Sequence, residues 1–234
     1  MKIDIVISAA QINQELLKDK TAVVIDVLRA TSVIITAVSN SCKEVIPVLT
    51  TREAFDIRLT TKGCLLGGER NAVKVAGFDL SNSPMEYTKE KVGGKTLVLT
   101  TTNGTRAIKG SIGARNLLIG GIINGQAVAD RILNLDNDTV IVNAGTQDKF
   151  SMDDFICSGF IIASVMEKNK HIELTDIAKI ALYIYRNNSS ITDFIKNAAH
   201  YERMKELSLL DDLEYCCKKN ITSVVPEVID GVIA

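Results

Sequence analysis

Six short runs of apolar, largely β-branched residues, each halting at small polar or charged residues, constrain this chain more than any other feature. They are TAVVIDV (21–27), EVIPVL (44–49), CLLGG (64–68), TLVLTT (96–101), RNLLIG (115–120) and TVIVNAG (139–145). Continuous apolar runs this short suit strands covered on both faces. Helical patterns separate them: TSVIITAVSNS, TREAFDIRLTTK, NGTRAIKGS and NGQAVADRILNL, the last with Val128, Ile132 and Leu135 on one stripe. Strand, helix, strand in repetition predicts an α/β fold in which the six runs form a central, largely parallel or mixed sheet covered by helices. Beyond about residue 150 the pattern turns helical, from MDDFICSGFIIASVMEKN to LLDDLEYCCKK, and VPEVIDGVIA can return as a strand. No linker rich in Pro, Gly or Ser divides it, so residues 1–234 read as a single domain. The repeated strand-loop-helix units are compatible with two similar subdomains, halves of about 1–120 and 121–234.

Composition limits the partners. Lys and Arg number 27 against 28 Asp and Glu, so a net charge of −1 offers nothing to nucleic acid or an anionic membrane, and small ligands are expected instead. The opening MKIDIVISAAQINQ is broken by Gln11 and Asn13, too early for a signal-peptide core or a spanning helix, and a cytoplasmic protein is expected. Five cysteines without a C-x-x-C pair read as buried thiols rather than a zinc site. The apolar helical C-terminal region leaves room for a homodimer. His171 and the acidic LLDDLEY segment read as solvated, and His200 as a helix-surface or interface residue.

Chemistry is expected where strands end, because open parallel sheets bind ligands outside the carboxyl ends of their strands. In VVIDVLRATSVI, Asp26 can hold a divalent cation, Arg29 can fork onto an oxyanion, and the amides of Thr31 and Ser32 can face an anion; helix capping by Asp26 and Thr31 explains the same residues. In TLVLTTTNGTRAI, the hydroxyls and amides of Thr102, Asn103, Gly104 and Thr105, followed by Arg106, suit a phosphate, sulfonate or carboxylate, the alternative being an Asn-Gly turn with a Thr cap.

CLLGGER (64–70) has the cysteine-to-arginine spacing of a thiolate phosphatase loop. The segment after Arg70, NAVKVAGFDLSNSP, is irregular and opens no helix to keep the sulfur ionised, and Glu69 would repel a phosphate unless a metal intervened. Cys64 therefore reads as an apolar strand residue. Glu69 suits Mg²⁺, which takes one or two carboxylates plus substrate oxygens, with Asp26 and an acid of the late helix start, Asp153 or Asp154, completing the set. Asp26 lacks a second aspartate two positions on, which favours attack by water over an aspartyl-phosphate route.

Four blocks, VIDVLRATSVI, GGERNAVKVAGFDLSNSPMEY, LTTTNGTRAI and FSMDDFICSGFI, in this order and spacing, resemble the 2-phosphosulfolactate phosphatase family over nearly the whole chain. The resemblance implies an α/β, Mg²⁺-dependent hydrolase that converts 2-phospho-3-sulfolactate to 3-sulfolactate and phosphate, a step toward coenzyme M where that pathway exists. It matches Asp26, Arg29, Thr31 and Ser32 to the first block, Glu69 and Arg70 to the second with Asn82, Ser83 and Pro84 at its end, and Thr102 to Arg106 to the third. The family pattern often carries a glycine pair after Gly-Glu-Arg, a glycine before Asn-Ser-Pro and a Glu-Asp pair at the late helix; this chain has Asn71 and Ala72, Ser81, and Asp153 before Asp154. The resulting expectation has Asp26, Glu69 and Asp154 on the metal, Arg29 and Arg70 on the transferring phosphoryl group, and the Thr102–Arg106 turn on the sulfonate or carboxylate.

Overall fold

A computed structural model describes all residues, 1–234. Its first half runs β1 (Lys2–Val6), α1 (Gln14–Leu17), β2 (Thr21–Ile25), α2 (Ala30–Ser39), β3 (Glu44–Pro47), α3 (Thr51–Thr60), β4 (Leu65–Arg70), β5 (Val73–Lys74), α4 (Lys89–Val92), β6 (Thr96–Thr100), α5 (Gly104–Gly110) and β7 (Asn116–Gly120). The second half continues with α6 (Gly125–Leu135), β8 (Thr139–Asn143), α7 (Met152–Lys168), β9 (Glu173–Leu174), α8 (Asp176–Arg186), α9 (Ile191–Ile195), α10 (Ala199–Glu206), α11 (Leu210–Cys216), β10 (Val228–Ile229) and β11 (Val232–Ile233). The α/β class is as the sequence predicts.

The strands form two sheets, not the single one expected. The first, in the order β7-β2-β8-β1-β9, is parallel throughout, with Val23 of β2 opposite Leu118 on one side and Ile141 on the other. The second, β10-β11-β3-β6-β4-β5, is parallel across β3-β6-β4 and antiparallel at both ends. Apolar runs announce burial on both faces but not which neighbour receives their hydrogen bonds, so two sheets and one look alike in sequence. Nor does either sheet follow the halves 1–120 and 121–234, since the first combines β1, β2 and β7 with β8 and β9.

Period-two alternation explains the layering. Val24 and Val142 of the first sheet and Leu97 and Leu99 of the second share one core with Val33 and Ile34 of α2 and Ile108 of α5, which places those two helices between the sheets. Val23, Ile25 and Ile141 point the other way, onto Ile156 and Ile161 of α7 and Val128 and Ile132 of α6. Val98 and Leu66 pack outward beneath α3 with Ala54 and Phe78. Helix α7 is apolar on nearly every side and is buried from Asp153 to Val165, as a helix with no polar face must be. No helix is long and apolar enough to cross a membrane.

Candidate active site

The carboxyl ends of β2, β4 and β6 and the loop after β8 open onto one cleft of about 630 Å³. Asp26 follows β2 and lies buried on its floor. The Thr31 hydroxyl closes the turn, donating to the Asp26 carbonyl (2.9 Å) and accepting from the Asp26 N–H (3.1 Å), while Ser32 Oγ donates to the Val27 carbonyl at 2.9 Å. The turn after β6 is built alike: Thr105 Oγ1 donates to the Thr101 carbonyl at 2.8 Å and accepts from the Thr101 N–H at 3.2 Å. Gly104, at the start of α5, lies against Asp26, and a Cβ there would stand 2.6 Å from Asp26 Oδ2 and 2.4 Å from Ala30 Cβ. Only glycine permits this approach.

Two buried carboxylates hold the two turns in the same manner. Asp154 accepts from the Val27 N–H at 2.9 Å and the Gly145 N–H at 3.0 Å; Glu69 accepts from the Thr102 N–H and the Ala72 N–H, each at 2.7 Å, and from Thr102 Oγ1 at 3.2 Å. Each therefore fixes the residue that follows a strand-end position, Asp26 or Thr101. This bears on the expected metal set: no three acidic, histidine or cysteine side chains are grouped to hold an ion, and Glu69 and Asp154 already spend both oxygens on protein donors. Asp154 is moreover absent from the cleft wall, and the helix acid that lines it is Asp153, because successive helical residues point about 100° apart. Asp26 differs. Its Oδ1 accepts the Ala30 N–H at 3.3 Å, whereas Oδ2 carries no hydrogen bond, which leaves one unengaged oxygen for a cation bound by a single carboxylate and completed by substrate and water.

The predicted arginines separate. Arg29 lines the cleft but is buried and ion-paired with Asp212, with a longer bond of 3.4 Å from its guanidinium to the Ala72 carbonyl. Arg70 lies next to Glu69 on a strand and so faces the opposite side; its guanidinium donates to the carbonyls of Glu69 (2.7 Å) and Leu49 (2.8 Å) and to Thr100 Oγ1 (2.8 Å), outside the cleft. Arg106 pairs with Asp148 at 2.8 Å and does not line the cleft. Thr31, Ser32 and Thr105 are buried, their hydroxyls taken up in the turns. Thr102, Asn103 and Asn82 do line the cleft, Asn82 with its buried Oδ1 unpartnered, and Ser83 Oγ joins indirectly by donating to Asp212 Oδ1 at 2.6 Å.

Two residues read as bystanders in the sequence, His200 and Asp212, belong to the site, and Arg203, which no sequence motif marks, lines the cleft beside them. His200 of α10 lines the cleft, its Nδ1 3.3 Å from Asp153 Oδ2, and Asp153 also accepts from the Ser151 hydroxyl. Arg203 lies one turn further along the same helix. Asp212 is buried rather than solvated, since it partners Arg29. No short spacing in the sequence signals these contacts, which join positions 47 and 183 residues apart. Cys64, by contrast, packs with Val48, Ala54 and Phe78 at the amino end of β4, the end opposite Glu69, and no thiolate faces the cleft.

Burial pushes the Asp26 carboxyl up to about 6, with Asp153 and Glu69 adding to the shift and His200 and the Ala30 N–H opposing it. Asp154 is held well above the usual carboxylate range by burial, then by Asp153 and Asp26. Burial opposes charge on both members of the Asp153–His200 pair, yet their mutual contact outweighs it, lowering the first pKa and raising the second. The pair is thus held in its charged form.

A parallel-sheet cleft with a buried carboxylate on its floor, flanked by amides, hydroxyls and guanidinium groups, defines an α/β enzyme for a small anionic substrate. Comparison with known proteins takes this further: the model of the 2-phosphosulpholactate phosphatase family matches residues 6–231, and the chain belongs to that family of phosphoric monoester hydrolases. It is 59% identical over 232 residues to a probable 2-phosphosulfolactate phosphatase of Clostridium acetobutylicum, covering 99% of both chains. Similar proteins of the same description occur in Clostridium kluyveri (58% identical, covering 100% of this chain and 97% of the relative) and Clostridium tetani (56%, covering 100% of both).

Proposed function

We propose that the chain hydrolyses 2-phospho-3-sulfolactate to 3-sulfolactate and phosphate, with Mg²⁺ held by Asp26 Oδ2 and substrate oxygens. The observation that carries this reading is the unengaged Asp26 oxygen in a cleft whose other buried carboxylates are already engaged, Glu69 by the Thr102 and Ala72 donors and Asp153 by Ser151 and His200. A Mg²⁺ ion held by Asp26 would supply charge neutralisation at the phosphoryl group. The protein's own groups do the rest. Glu69 and Asp154 keep the two turns rigid, and Asn103, whose side-chain NH₂ is not engaged within the fold, receives the carboxylate end. The water oxygen forms the new bond to phosphorus as the bond from phosphorus to the C2 oxygen breaks, and the water's two protons leave on the product as dihydrogen phosphate. His200, kept protonated by Asp153, gives its proton to that departing oxygen, which is too basic to leave as an alkoxide.

Phosphate release from 2-phospho-3-sulfolactate tests this with Mg²⁺ and with EDTA. Activity should require Mg²⁺, survive Cys64→Ser, and fall about 10²-fold or more in kcat with little change in KM for His200→Gln. Release that ignored EDTA and vanished with Cys64→Ser would overturn the carboxylate reading.

A further inference from the structure

The geometry points to Arg203 as the residue that recognises the sulfonate and so sets substrate specificity. The inference rests on the phosphatase reading above and adds a selectivity element to it. A substrate with phosphate, carboxylate and sulfonate brings at least three anionic groups to a cleft already lined by Asp26, Glu69 and Asp153. Positive charge is what the cleft must supply, and most of it is spoken for. Arg29 is neutralised by Asp212 within the protein, Arg70 and Arg106 lie outside the cleft, no lysine lines it, and His200 is bound to Asp153.

Arg203 is the exception. Its only ion pair is with Glu206, three residues on along the same helix, at 3.2 Å and with the two side chains 50% and 65% exposed. Such a surface pair contributes almost nothing to stability, so the guanidinium can exchange Glu206 for a ligand at little cost. It also stands at the right depth. Asp26 is buried at the floor and Arg203 is half exposed at the mouth, one turn from His200 on the face of α10 that overlooks the cleft. With the phosphoryl group at the floor, the sulfonate, carried on the carbon beyond the ester carbon, is the anion that reaches outward to the mouth.

The test compares 2-phospho-3-sulfolactate with 2-phospholactate, which keeps phosphate and carboxylate but replaces the sulfonate-bearing group with a methyl. In Arg203→Gln, KM for the sulfonated substrate should rise about tenfold or more, as for loss of a charged hydrogen bond, while kcat/KM for 2-phospholactate stays within about twofold of wild type. Arg203→Lys should keep part of the preference, and an unchanged melting curve for both variants excludes misfolding. Equal losses on the two substrates, or an undiminished preference for the sulfonated one, would overturn the assignment while leaving the phosphatase reading intact. Phosphate release from neither substrate by the wild-type enzyme would instead refute that reading, and this inference with it.

Discussion

An ionised carboxylate at position 26 costs the fold free energy, and the sign follows from its pKa. Unfolded, Asp26 loses its proton near 3.8; folded, it keeps the proton until about 6, because burial disfavours the charge. Stability from this group is therefore present below 3.8 and falls as pH rises toward 6, after which the penalty is complete. About two pKa units correspond to about 3 kcal/mol. In metal-free buffer at pH 7.5, Asp26→Asn should accordingly raise the unfolding free energy by about 1–3 kcal/mol while abolishing phosphate release. Urea titrations at pH 5 and pH 7.5 check both magnitude and slope; a destabilised Asn variant would mean that Asp26 is not under this strain. Asp26 was legible because it halts a continuous apolar run. Asp153 could not be told from Asp154 without the rotation of α7, and His200 could not be found at all, since its partner lies 47 residues away.

At the scale of elements, the β4–β5 hairpin shows how a departure from the family pattern acts. Glu69 pairs with Lys74 and Arg70 with Val73, which leaves Asn71 and Ala72 as a two-residue loop with φ of 54° and 66°. Such loops require left-handed backbone at both positions, which explains why a glycine pair suits this place. Asn tolerates the conformation; Ala72 is strained by about 1–2 kcal/mol. Replacing it with glycine relieves that strain but adds about 0.4–1 kcal/mol of unfolded-chain entropy, so Ala72→Gly should stabilise the protein by a net of about 0.5–1 kcal/mol. Its N–H to Glu69 and its carbonyl to Arg29 both belong to the backbone and remain, so activity should stay close to wild type. Thermal melts beside the phosphate assay read both quantities. The sequence marked an irregular turn here, but its register, and the fact that Glu69 and Arg70 face opposite ways, needed the antiparallel pairing with β5 that only two residues form.

For the whole molecule, the contact between Arg29 and Asp212 joins the first strand-end turn to a helix 183 residues later, and with the Ser83 bond to the same carboxylate it ties three distant segments together beside the cleft-lining Arg29. Local patterns made the strands visible, whereas closure of this kind leaves no periodic trace, which is why LLDDLEY resembled a solvated face. Both members of the pair are almost fully buried, so removing one strands the other's charge. Asp212→Ala should therefore cost about 3–5 kcal/mol. A buried pair can be replaced by apolar residues at far smaller cost, so Arg29→Met combined with Asp212→Leu should recover most of that loss, less about 1 kcal/mol for the Ser83 hydroxyl left without its acceptor. Denaturant titrations of the single and double variants measure the coupling. Activity should not return with stability, because Arg29 also faces the cleft: a double variant that folds like the wild type yet releases no phosphate would assign Arg29 both tasks, and one that regained full activity would reduce it to a structural tie.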